Sequence, residues 1–263
     1  MLIDVHCHLT FPHFKKDLNE VIERARNAGV VSILSSGVDP KTNREVLELS
    51  KNYDIVKASL GIYPLDAVGL AHYDDVPREN ESVFDVDAEL KFIEKNKDNI
   101  IAIGEIGLDG TPKPDAKMKE QQEVFWKCIE LARKIKKPIV VHTRKAEKEC
   151  IEILQSSGLK NVVLHCFTGN LKLVKQAEDS GFYLSIPSII TRLKHFQEVV
   201  EKTSLSNILT ETDAPYLSYV PGGRSEPAHI QETIKIISKI KNVTAEEVEK
   251  IIFSNYQKIF LKK

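Results

Sequence analysis

The chain has 263 residues, 42% of them hydrophobic, and a formal net charge of −1. That is enough apolar mass for one large core, and too little charge imbalance to draw the protein as a whole to nucleic acid or to a lipid surface. No apolar run approaches the roughly 18 residues that span a bilayer, no basic-then-apolar leader precedes Asp4, and the four cysteines form no C-x-x-C, so a cytoplasmic protein without a disulfide framework is expected.

Strand and helix signals alternate with little interruption. Residues 2–5 read as a strand. Residues 15–28 have helical apolar spacing (Leu18, Val21, Ile22, Ala25) and stop at Gly29. A β-branched strand over 30–34 precedes a helix over 42–51, and a third strand covers 55–60. Then come a helix at 87–95, a strand at 100–103, and a long helix at 117–136 that Pro138 ends. Strands at 139–141, 162–164, 182–185 and 208–210 alternate with helices at 146–155, 171–179 and 192–202. Helices at 226–240 and 245–253 close the chain, the second opening on Thr244 and Glu247 at capping-box spacing.

Eight short apolar strands, each followed by a helix, predict an α/β fold: a (β/α)8 TIM-type barrel running as one domain over 1–263. An open doubly wound sheet is the competing architecture, but no G-x-G-x-x-G follows the first strand. The longest stretch without periodicity, 62–84, follows the third strand, and loops of that length are usually functional.

In a barrel of this kind the active site collects at the C-terminal ends of the strands. His6 and His8 end the first strand, on one face and about 7 Å apart by the rise per residue. Glu105 follows the fourth strand, His142 the fifth, His165 the sixth and Asp213 the eighth. Singly, each has a plainer account, as a hydrogen-bonded core histidine or, for Asp213 before Ala214-Pro215, a turn cap. Six on one rim are better explained by a shared metal site. Imidazole with carboxylate suits zinc, manganese, nickel or iron, and with fewer histidines per ion also magnesium. Cys7 and Cys166, each beside a candidate ligand, are expected on the opposite strand face as buried packing thiols.

Several blocks then carry a specific resemblance. Asp4-Val5-His6-Cys7-His8-Leu9, Gly104-Glu105-Ile106-Gly107-Leu108-Asp109, Pro138 through His142-Thr143-Arg144, Leu164-His165-Cys166-Phe167-Thr168-Gly169 and Glu211-Thr212-Asp213-Ala214-Pro215-Tyr216-Leu217 resemble, in order, the signature blocks of the TatD family. These are metal-dependent deoxyribonucleases of the amidohydrolase superfamily. The resemblance implies two divalent ions (Mg, Mn, Zn or Ni). His6, His8, Glu105 and Asp213 would hold one ion, and Glu105, His142 and His165 the other, with Glu105 bridging. It implies a catalytic role for Glu105 and Asp213, the latter orienting a water and accepting its proton. Its substrate would be DNA, single-stranded or at a 3′ end, cut exonucleolytically, with no membrane and no obligate protein partner. Arg144 and Arg224 are expected phosphate contacts, since guanidinium matches phosphate oxygens.

The departures lie on the substrate side. Where the family commonly has Gly-x-His-Pro, this chain has Gly61-Ile62-Tyr63-Pro64, and Tyr63 is expected to face substrate. The usual aromatic after Gly-Leu-Asp is Gly110. Ser225 stands for the Asn of Arg-Asn-x-Pro, and the Ser-x-x-Gly near the seventh strand reads Ser185-Ile186-Pro187-Ser188. These differences leave room for a two-metal hydrolase of another bond, such as an aminoacyl-tRNA deacylase, or for a metal-binding scaffold without catalysis. Intact Glu105 and Asp213 argue against the last.

Overall fold

The structure is a computed structural model that describes residues 1–70, 84–111 and 116–261. Eight strands form one parallel sheet in sequence order: β1 (Leu2–Cys7), β2 (Val30–Ser36), β3 (Val56–Leu60), β4 (Ala102–Gly107), β5 (Ile139–His142), β6 (Val162–His165), β7 (Tyr183–Pro187) and β8 (Ile208–Glu211). Around it lie α1 (Leu18–Asn27), α2 (Pro40–Asn52), α3 (Pro64–Ala67), α4 (Val86–Lys95), α5 (Met118–Ile135), α6 (Glu147–Ser157), α7 (Leu171–Asp179), α8 (Lys194–Lys202), α9 (Ile230–Lys241) and α10 (Ala245–Tyr256). This is the expected eight-stranded α/β barrel. Every residue of β1 and β4 is buried, as a strand covered on both faces requires. No described helix is long and apolar enough to cross a membrane.

The sheet closes without a ladder between its first and last strands among the described residues. Side chains and strand ends make the seam instead. The Thr212 N–H and hydroxyl donate to the two oxygens of Asp4 at 3.1 and 2.5 Å, and the Thr210 hydroxyl donates to the Ile3 carbonyl at 2.6 Å. Beyond them the Asp213 N–H reaches the His6 carbonyl at 3.0 Å, and the His8 N–H the Ala214 carbonyl at 2.7 Å. Burial pushes the Asp4 carboxyl up to about 7, although the bonds from Thr212 and the His6 N–H pull the other way.

Most differences from the expected elements have a local cause. β4 starts two residues later than expected and runs on to Gly107, so Glu105 lies inside the strand rather than after it. Gly104 and Gly107 are packing positions within it. A Cβ on Gly104 would sit 2.8 Å from Val140, and one on Gly107 (φ +139°) 2.1 Å from the His142 carbonyl oxygen. Helix starts expected at 15, 192 and 226 slip inward because short 3-10 turns, Pro12–Phe14, Ser188–Thr191 and Pro227–His229, come first. Thr244 and Glu247 form the capping box. In the aperiodic stretch 62–84, Pro64–Ala67 is a helical turn, and 71–83 lies outside the described residues.

Gly61, at the end of β3, is pressed against β4. A Cβ there would lie 2.2 Å from the Glu105 nitrogen. Asn43 of α2 pins it, donating to the Gly61 carbonyl at 2.8 Å and accepting from the Gly61 N–H at 3.0 Å. The same amide donates to the buried Glu89 of α4 at 2.8 Å, and Arg44 pairs with both oxygens of Glu89 at 2.6 and 2.7 Å. Backbone cannot yield to a new methyl as a flexible side chain can. Gly61→Ala should therefore cost about 2 kcal/mol or more, read as a lower urea midpoint at unchanged slope.

Candidate metal centre

The six residues singled out in the sequence converge at the C-terminal mouth of the barrel. β1 ends with His6 inside the strand and His8 just beyond it, so both rings reach the mouth. Their Nε2 atoms lie 3.5 and 3.4 Å from Glu105 Oε2, and each 3.5 Å from Asp213 Oδ1. On the other side, Glu105 Oε1 lies 2.8 Å from His142 Nδ1 and 3.1 Å from His165 Nε2, which are 3.2 Å from each other. The two oxygens of one carboxylate thus face two different donor groups.

The donors fit divalent ions. Three sets, His6-His8-Glu105, His6-His165-Asp213 and Glu105-His142-His165, each bring one ligand atom per residue within 4.8 Å of one another. A tetrahedral ion with bonds of about 2.1 Å has ligand atoms about 3.4 Å apart, close to the 3.4–3.5 Å N···O separations of the first group. His6 Nε2 is buried and meets the Glu105 and Asp213 carboxylates only at 3.5 Å each, longer than a well-formed hydrogen bond.

A second layer, which the sequence reading did not assign, orients these rings. His8 Nδ1 is 3.2 Å from the Ser36 carbonyl, which can only accept, so Nε2 is left free to face the centre. His6 Nδ1 lies 3.2 Å from the Ser36 hydroxyl. His142 Nε2 lies 3.1 Å from Asp109 Oδ2. His165 Nδ1 and Glu211 Oε1 are both buried, have no hydrogen-bond partner among the described residues, and pair with each other at 3.8 Å. The other Glu211 oxygen accepts from the Ser185 hydroxyl. Asp109 and Glu211 were present in the quoted sequence blocks. Neither carried a signal of its own, because each acts through a histidine on another strand.

Protons take up the charge balance of the centre without ions. Burial would push Glu105 up, but the charge of His165 and bonds from His142, His165 and His6 hold it well below the usual carboxylate range. Asp213 is likewise held low, bonds from His6 and His8 overcoming burial. Burial and the charge on His165 push His6 down, yet the Asp213 and Glu105 carboxylates raise it to about 9. His142 and His165 also rise against their burial because they face carboxylates.

The expected substrate contacts are placed differently from one another. A cavity of about 640 Å³ opens over the centre, lined among others by Tyr63, Arg144, Lys145 and Tyr216. Arg144 is exposed, and its guanidinium makes no hydrogen bond or ion pair with described residues. Arg224 is not in this lining. Its guanidinium is held by Asp17 at 2.6 and 2.8 Å and Glu226 at 2.7 Å, over the Phe14 ring. Tyr63 is buried, with its hydroxyl donated to Asp109 Oδ2 at 2.9 Å. Of the two thiols expected to pack away from the site, Cys7 is buried and reaches the Leu34 carbonyl, but Cys166 lines the cavity. The cause is local. β6 ends at His165, and Cys166 has φ +42°, which breaks the strand alternation.

A family profile described as TatD related DNase matches residues 3–261. Human "Deoxyribonuclease TATDN3" is 33% identical over 99% of this chain and 95% of its own length. An "Uncharacterized metal-dependent hydrolase MJ1582" of Methanocaldococcus jannaschii is 35% identical over 98% of this chain and 96% of its own. Among solved structures, the TatD homologue YJJV of Escherichia coli K12 superposes with a TM-score of 0.86 at 25% identity, covering 100% of this chain and 98% of that one.

Ions entering this centre have to displace protons, so affinity should rise with pH. Titration of metal-free protein with Mn²⁺ near neutral pH should release protons, seen as a binding heat that varies with the ionisation enthalpy of the buffer. The sign for stability is also fixed. His6 is raised from 6.5 to about 9, so its contribution to the metal-free fold is complete below 6.5 and is lost as pH climbs through about 9. The melting temperature of chelator-treated protein should fall across that window, and that of ion-loaded protein should fall less.

Proposed function

The chain belongs to the TatD-related DNase family, and on that premise we propose that it is a metal-dependent hydrolase that cleaves phosphodiester bonds of DNA with water. The observation that carries this reading is the placement of Glu105, one buried carboxylate shared between two sets of histidines. That arrangement suits a pair of divalent ions. His6, His8 and Asp213 complete the first set, and His142 and His165 the second. The mixture of imidazole and carboxylate is compatible with Mg, Mn, Zn or Ni. Ions held there supply charge that polarises a phosphodiester and makes a water acidic.

The chain's own residues supply the rest. Asp213, with 15% of its side chain exposed against 4% for Glu105, is the carboxylate open to the cavity. It orients the attacking water and takes its proton. Glu105 stays ionised and fixes the spacing of the two sets. Arg144 at the cavity mouth is free to take a phosphate, whereas Arg224 would first have to leave Asp17 and Glu226. Tyr63 offers substrate its ring, since its hydroxyl is engaged.

The cavity has the size of a small-molecule site, suited to a nucleotide unit at a strand terminus. This supports exonucleolytic action on single-stranded DNA or a 3′ end. Cationic Arg144 and Lys145 beside aromatic Tyr63 and Tyr216 suit a nucleic-acid strand.

The test is hydrolysis of end-labelled single-stranded DNA with Mg²⁺, Mn²⁺ or Zn²⁺, run beside Asp213→Ala and Glu105→Ala. Mononucleotides should be released by the wild type and by neither variant, with both variants keeping the far-ultraviolet circular dichroism of the barrel. No release from protein that holds metal would redirect the search to amide or ester substrates. Arg144→Ala should raise KM for DNA about tenfold at nearly unchanged kcat, the loss of one charged hydrogen bond.

A further inference from the structure

Tyr63, Asp109 and His142 form a chain of hydrogen bonds that ends on the second donor set. Asp109 Oδ2 accepts from the Tyr63 hydroxyl at 2.9 Å and from His142 Nε2 at 3.1 Å. Asp109 Oδ1 accepts from the Thr111 N–H at 2.8 Å and the Thr111 hydroxyl at 2.5 Å. Four bonds fill the carboxylate. Its backbone is pinned as well. Gln121 of α5 accepts from the Asp109 N–H at 2.8 Å and donates to its carbonyl at 2.9 Å.

We propose that Tyr63 is a positioning residue. It acts through Asp109 to hold His142 with Nδ1 turned to Glu105 and His165. The inference rests on the two-ion reading of the centre. An acceptor at Nε2 fixes the proton there and leaves Nδ1 as the nitrogen with a free lone pair. His142 has most need of such a hold. Its side chain is 12% exposed, against 0%, 5% and 6% for His6, His8 and His165, so packing confines it least. Tyr63 contributes a second constraint, because its ring meets the imidazole edge-on, with centroids 5.0 Å apart at 67°. The phenol is thus turned to the back of a ligand, although its ring borders the cavity.

Tyr63→Phe removes one oxygen and keeps the ring. Its effect should be measured as the Mn²⁺ dissociation constant, against a competing chelator, in two backgrounds. In Asp213→Ala, which keeps Glu105, His142 and His165, adding Tyr63→Phe should weaken binding about fivefold or more. In His142→Ala it should change binding by less than about 1.5-fold, because the link through the imidazole is already cut. Co²⁺-loaded Asp213→Ala should change its visible spectrum on loss of the phenol oxygen, and Co²⁺-loaded His142→Ala should not. Equal weakening in both backgrounds would reduce Tyr63 to a structural residue and overturn the proposal. So would unchanged affinity in both. The stoichiometry of Mn²⁺ on the wild type tests the two-ion reading separately, and no arm needs DNA cleavage.

Discussion

The carboxylate of Glu105 is 3% exposed, and water cannot balance its charge. A buried ion left alone is far less stable than a paired one, and breaking such a pairing costs several kcal/mol. Four imidazoles from β1, β5 and β6 and the loop after β1 surround it, and this requirement fixes the mouth of the barrel. β4 has to be brought close enough for its side chain to reach the axis. Gly61 allows that approach on one side and Gly104 on the other, where even a methyl would collide. The Glu105 N–H is taken by the Gly37 carbonyl at 3.2 Å. Asn43, Glu89 and Arg44 stand behind Gly61, so a polar network on the outer helices keeps a backbone contact at the centre tight.

Much of this was legible in the sequence because it obeys a period. Helix faces repeat at 3.6 and strand ends carry polar residues where apolar runs stop, so the barrel and the six converging residues could be read locally. What stayed hidden depends on contacts between distant segments. Arg224 looks like a phosphate contact until Asp17, 207 residues away, is seen to hold it. The packing roles of Gly104 and Gly107 stay hidden because their neighbours on β5 are not written beside them. Cys166 reads as facing away because one residue leaves the strand early. Ser36 carries no signal at all, since its value to His6 and His8 lies in where β2 ends.

The two most visible departures from the family pattern meet on one side of the mouth. Tyr63 reaches Asp109 at the end of β4. Gly110, one residue on, donates its N–H to the Arg144 carbonyl at 2.8 Å. A Cβ at 110 would lie 2.6 Å from the Lys145 carbonyl oxygen, so an aromatic side chain there would require the loop after β5 to move. Lys145 itself takes φ +57°. The glycine and the tyrosine are parts of one arrangement, in which the Arg144-Lys145 corner settles onto β4 and brings two cations over the cavity.

The seam between β1 and β8 carries a consequence for how the molecule comes into being. His6 lies in β1 and His8 just after it, whereas Asp213 follows β8. Chain emerging from a ribosome therefore carries these two histidines long before Asp213. Among the described residues the seam has no ladder to bring these ends together, only Asp4, Thr210, Thr212 and a few strand-end amides. An ion held across it would close a loop of about two hundred residues, as a disulfide does, by restricting the open chain. Occupancy would then report that the barrel has closed.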